Sequence, residues 1–125
     1  MTKTEKRQFG DWGEEQAGSF LVRHGYKIID KNFYAVGGEI DIIAKQGEVL
    51  CFIEVKTRSY WEEFNNAEQA TNYLKLKKMF FAAKQYCQYR KINIYDTAMR
   101  FEHVSVYVDR KIRSVKFKKY ILELN

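Results

Sequence analysis

Proline is absent from this sequence of 125 residues, as are repeats and low-complexity stretches, so no segment reads as a long linker. With 46% hydrophobic residues the chain can bury one core but not two, and a single domain over residues 1–125 is expected. Cysteine is scarce. Cys51 and Cys87 lie in apolar surroundings, at none of the spacings that build zinc sites or disulfide frameworks, and both are expected as buried free thiols. No apolar run approaches the roughly 18 to 20 residues needed to cross a bilayer, and residues 1–8 are charged and polar, unlike a signal peptide. A soluble, cytoplasmic protein with no membrane partner is the expectation.

What is abundant is positive charge. A formal net charge of +6 and a pI near 9.3 favour an acidic partner, because a basic surface attracts polyanions and releases their counterions on binding. The charge concentrates in Lys75, Lys77 and Lys78, in Lys84, Arg90 and Lys91, and in a run from 110 to 119. Charge alone leaves nucleic acid no better than an even choice.

Helical spacing of Phe9, Trp12, Phe20 and Leu21 predicts a first helix over residues 9–24, with Gly25 placed for its C-cap. Residues 26–34 read as a strand, punctuated by Gly37-Gly38. Residues 39–45 and 48–56 are rich in Ile and Val, with a hairpin turn expected at Gln46-Gly47. A second helix is expected over 67–89, capped by Asn66 with Gln69 completing a capping box, and with Ala70, Leu74, Phe81 and Cys87 as core positions. Strands over 100–108 and 112–124 complete an α/β sandwich around a mixed sheet.

The turn at Gln46-Gly47 sets Lys45 opposite Glu48, Asp41 opposite Phe52 and Glu39 opposite Glu54. Alternation sends Ile40, Ile42 and Ala44 to one face with Val49, Cys51, Ile53 and Val55, an apolar face that must pack on a helix. The other face receives Glu39, Asp41, Ile43, Leu50, Phe52, Glu54 and Lys56. The plain alternative is that these charges form the solvated side of a hairpin. Against it, Ile43, Leu50 and Phe52 share the face, and three carboxylates around one lysine repel unless a cation is supplied. Magnesium, held by one or two carboxylates with substrate phosphate and water, would remove the conflict, with Asp41 and Glu54 as the pair and Lys56 beside them.

An acid on one strand followed after a hairpin by Glu54-Val55-Lys56 resembles the active-site pattern of restriction-endonuclease-like nucleases. More specific is the series Gly13-Glu14-Glu15 with Ala17, Gly25-Tyr26, Asn32, Gly38-Glu39-Ile40-Asp41-Ile42-Ile43-Ala44 and Phe52-Ile53-Glu54-Val55-Lys56-Thr57-Arg58. Together with a Lys-rich helix and Arg100-Phe101, it is similar to the bacterial YraN family, related to archaeal Holliday-junction resolvases. The resemblance implies a restriction-endonuclease-like α/β fold, with a central mixed sheet flanked by helices. It also implies a magnesium- or manganese-dependent endonuclease acting on DNA, with branched DNA as a substrate by kinship. A binding module on the same fold without turnover is the alternative.

Residue by residue, the resemblance assigns Glu14, Asp41 and Glu54 to the metal and Lys56 to catalysis with them. Glu39 joins by strand parity as a neighbour of the ligands. Glu14 lies between Gly10 and Gly18, which would admit a backbone or phosphate, although an exposed helix glutamate has the same look. Arg58, Lys75 and Lys78 are the candidate contacts to nucleic acid, against the plain reading of solvated strand-end and helix charges. Tyr60-Trp61 stands where family members carry small residues, and Glu102-His103 replaces Asp-Val; Tyr60, Trp61 and Phe64 form an aromatic cluster whose flanking Glu62 and Glu63 argue for a packing or dimer contact over base stacking. His24 and His103 look isolated and are assigned no role. Oligomeric state stays open, with a homodimer as the arrangement a symmetric resolvase would need.

Overall fold

A computed structural model of the chain describes residues 1–59 and 73–123. Its elements run α1 (Lys3–Arg23), β1 (Lys27–Ala35), β2 (Gly38–Gln46), β3 (Val49–Ser59), α2 (Tyr73–Tyr89), β4 (Met99–Asp109) and β5 (Ser114–Ile121). The strands form one sheet in the order β1-β2-β3-β4-β5. All neighbours are antiparallel except β3 and β4, which are parallel. A parallel pair needs a long crossover, and the segment containing α2 provides it. The expected mixed sheet flanked by helices is therefore present, in an arrangement consistent with a restriction-endonuclease-like fold.

The first helix starts well before residue 9. Thr2 accepts from the Glu5 backbone N–H at 3.1 Å and donates its own N–H to the Glu5 carboxylate at 3.0 Å, closing a capping box. That polar signal lies upstream of the apolar residues on which the spacing reading rested. At the other end the chain leaves through Gly25 with φ of 88°, a conformation open to glycine.

The apolar faces fall on both sides of the sheet. On one side Ile42, Ala44, Cys51, Ile53, Val104 and Val106 pack with Ala17 and Leu21 of α1; on the other Ile40, Ile43, Leu50 and Phe52 pack with Ala82, Ala83, Tyr86 and Cys87 of α2. The face carrying Ile43, Leu50 and Phe52 is thus covered by a helix, not solvated. Both cysteines are buried and free, as expected. Among the described residues no helix is long and apolar enough to cross a membrane.

Three sequence readings need correction. The hairpin register is offset by two residues, because the turn is Gly47-Glu48 and Gln46 pairs with Val49. Gly47 takes φ of 60° while Gln46 and Glu48 do not take positive φ, which suits glycine at the first of the two central turn positions. An even offset preserves parity, and continuing the ladder past Ile42 and Ile53 brings Asp41 level with Glu54. Second, Ile40 does not share a face with Ile42. Alternation breaks at Asp41, where the adjoining strand carries Asn32 at φ of 53°. Third, Leu74 and Phe81 of α2 are 65% and 48% exposed; its buried stripe is Leu76, Met79, Ala82, Ala83, Tyr86 and Cys87. That stripe keeps the i, i+3, i+4 spacing but is rotated around the axis from the one expected. The expected cap at Asn66 and Gln69, the core position Ala70, and Tyr60, Trp61 and Phe64 lie outside the described residues.

Candidate active site

The β2–β3 ladder gives way after Ile42 and Ile53, and a side chain takes over the backbone bonding. The Val55 N–H donates to Asp41 Oδ2 at 2.8 Å, which fixes the carboxylate against β3. Around this point Glu14 of α1, Glu39 and Asp41 of β2, Glu54, Val55, Lys56 and Arg58 of β3, and Lys75 of α2 line a cleft of about 600 Å³. Glu14, Asp41, Glu54 and Lys56 are thereby brought together, with Glu39 on the rim, as are Arg58 and Lys75. Lys78 does not line the cleft; it sits one turn beyond Lys75, exposed.

Close packing places Glu14. Its neighbour Gly13 meets β3 so tightly that a Cβ there would lie 2.7 Å from Thr57 Cβ and overlap the Thr57 hydroxyl. Only glycine allows this approach, and it delivers Glu14 to the acids of β2.

The electrostatics divide the carboxylates. Burial raises the Asp41 carboxyl to about 6; the Val55 hydrogen bond opposes this, and Glu54 and Glu39 add to it. Burial likewise raises Glu14 to about 7, with Asp41, Asp11 and Glu39 contributing repulsion. Glu54 goes the other way. Burial pushes it up, but His103 and Lys75 more than offset the cost and leave it below the ordinary carboxylate value. Lys75 forms an ion pair with Glu54 Oε1, so its first partner is an acid of the cleft and not a phosphate. Arg58 differs: its Nε is buried and has no hydrogen-bond partner among the described residues, although the side chain borders the cleft.

Among the described residues no group of three or more His, Cys, Asp or Glu is gathered closely enough to hold a metal by itself. The donor set nevertheless suits a hard cation. Asp41 and Glu14 repel one another in a partly desolvated cleft, and magnesium commonly takes only one or two carboxylates, completing its shell with water and phosphate.

Two buried polar residues of β4 escaped the sequence reading. His103 is 2% exposed and its Nδ1 lies 3.4 Å from Glu54 Oε1, so it is not isolated. The parallel register that pairs Glu54 with His103 is what joins them. Glu102, wholly buried, points to the α1 side and belongs to a separate network. It accepts from the Tyr26 hydroxyl at 2.7 Å, Lys119 Nζ at 2.8 Å and Arg100 Nε at 3.2 Å. The one sequence signal for both was the run Arg100-Phe101-Glu102-His103, in which charged residues interrupt a strand otherwise rich in valine.

The chain matches the model of an uncharacterised protein family, UPF0102, over residues 13–106. A UPF0102 protein of Clostridium perfringens is 34% identical over 119 residues, covering 94% of this chain and 95% of its own length. One from Chlorobium phaeobacteroides is 37% identical over 114 residues, covering 83% and 89% respectively. Another, from Acetivibrio thermocellus, is 36% identical over 124 residues, covering 98% and 93%. Nearly the whole chain, the four cleft-forming elements included, is thus shared with relatives of similar length, and the protein belongs to family UPF0102, the YraN family.

Proposed function

We propose that this protein is a metal-dependent endodeoxyribonuclease of the cytoplasm, hydrolysing phosphodiester bonds in DNA, with branched or structured DNA as its substrate class. The observation that carries the reading is the cleft in which Asp41, anchored by the Val55 N–H, meets Glu14, Glu54 and Lys56. Asp41 and Glu54 would hold magnesium or manganese, with water and substrate phosphate completing its shell, and Glu14 would add a further ligand or a hydrogen bond. The bound cation would neutralise charge developing on the phosphate and lower the pKa of a water. The Lys56 ammonium orients the attacking water and stabilises the charge that builds up on the phosphoryl oxygens. Arg58, with donors to spare, holds a neighbouring phosphate. Phosphate entering the cleft also competes with Glu54 for Lys75, which turns that lysine from ion-pair partner to substrate contact. Cutting two strands symmetrically calls for two copies of the cleft, hence a homodimer on DNA.

One observation favours a second reading, a DNA-binding module without turnover: Lys75 already neutralises Glu54. The two separate when the purified protein is incubated with linear, single-stranded, flapped and four-way DNA in magnesium, manganese or EDTA. Asp41→Ala and Lys56→Ala serve as controls. The nuclease reading expects cleavage that needs the metal and is lost in both variants. Binding without cleavage under every condition would leave the module, and cleavage persisting in EDTA or in both variants would remove the assignment.

A further inference from the structure

The parallel register of β3 and β4 sets Glu54 beside His103 and Lys56 beside Ser105, with all four side chains on the α2 side of the sheet. A buried imidazole needs partners for both ring nitrogens. Nε2 of His103 lies 3.0 Å from Ser105 Oγ. Nδ1, buried, has no hydrogen-bond partner among the described residues; Glu54 Oε1 lies 3.4 Å from it, within ion-pair distance but short of a hydrogen bond.

An ionised carboxylate only accepts, so a hydrogen on Nδ1 is what would let His103 close on Glu54, while the Ser105 hydroxyl can either donate to or accept from Nε2. Both ion-pair contacts of Glu54, from Lys75 and from His103, fall on Oε1. Neither contact falls on Oε2. The two holds differ in permanence. Lys75 is a long side chain with 40% of its surface exposed and can leave for a phosphate, whereas His103 is locked in the sheet at 2%.

We propose that His103, itself oriented by Ser105, is a positioning residue that grips Glu54 by Oε1 and thereby presents Oε2 to a divalent cation in the cleft. This rests on the reading of Glu54 as a metal-holding carboxylate and adds the group that aims it. Outer residues that orient a ligand typically change metal affinity by roughly 10- to 100-fold when removed.

Two measurements on the full chain test it. The sequence has only two histidines, so ¹⁵N-histidine labelling gives two rings, and His24→Gln tells them apart. The expected spectrum shows His103 protonated at Nδ1, with its resonances moved by Glu54→Gln. A ring protonated at Nε2 alone would overturn the proposal. The second measurement follows Mn²⁺ binding by electron paramagnetic resonance, without DNA. His103→Leu is expected to weaken binding about tenfold or more, and His103→Asn, whose amide N–H replaces the Nδ1 donor, to recover most of it. Mn²⁺ affinity equal to wild type in both variants, or absent from wild type, would refute the assignment. Neither readout needs cleavage. A protein that binds Mn²⁺ through a His103-dependent Glu54 but cuts no DNA would sink the nuclease reading alone; cleavage indifferent to His103 would sink this one alone.

Discussion

Burial lifts Asp41 to about 6 and Glu14 to about 7, and each of these acids therefore binds its proton more tightly in the folded chain than in the unfolded one. The sign of the consequence is fixed. Such a group favours the fold below its unfolded value and loses that contribution as pH rises through the folded value, so the window is about pH 4 to 7. In EDTA the melting temperature should fall across that window. Asp41→Asn, which retains an acceptor for the Val55 N–H, should flatten the slope, and Mg²⁺ should stabilise the wild type more at pH 8 than at pH 5. A slope unchanged in Asp41→Asn would show that Asp41 is not the strained acid. Glu54 and Glu102 are lowered, and their contributions disappear instead on acidification. Glu102 is the graver case for stability. Glu102→Leu leaves Arg100 and Lys119 facing a buried gap and should cost on the order of 3 to 5 kcal/mol in chemical denaturation. At this scale the sequence was legible where chemistry follows strand parity, as with Asp41, Glu54 and Lys56. His103 and Glu102 were not, because Glu54, Tyr26 and Lys119, which give them their roles, lie far from them in sequence.

At the scale of elements, the cleft depends on how closely α1 approaches β3. Gly13→Ala forces a methyl into Thr57, and either the helix or the strand must move. A loss of about 1 to 3 kcal/mol in thermal or urea unfolding is expected, together with impaired metal binding, since Glu14 moves with the helix. Stability and Mn²⁺ affinity both equal to wild type would show that Gly13 is not what sets the approach. The elements themselves were mostly readable: Gly25, Gly37 and Gly47 all take positive φ at turns that punctuation had marked. Register was harder, since Gln46-Gly47 and Gly47-Glu48 are equally plausible turns by composition and differ by two residues in pairing. The buried stripe of α2 was misplaced for a related reason. Aromatic residues run all round that helix, so Phe80 and Phe81 remain exposed while small Ala82 and Ala83 pack on the sheet.

For the molecule as a whole, the excess of six positive charges gives any DNA complex a strong dependence on salt. Arg58→Ala should reduce the slope of log affinity against log salt by about one, as expected for one lost phosphate contact. Lys78→Ala, outside the cleft, should change it less. Equal effects would mean that the basic surface binds without regard to the cleft. Single-turnover cleavage in Mg²⁺ separates chemistry in the cleft from binding alone. It is measured with saturating wild-type protein and with Asp41→Asn on the same four-way DNA, with bound DNA quantified in parallel. Metal-dependent cutting by the wild type is expected, with a rate at least about 100-fold lower for Asp41→Asn at equal occupancy. Equal rates from the two proteins, or no cutting by fully bound wild type, would rule out Asp41-centred nuclease chemistry.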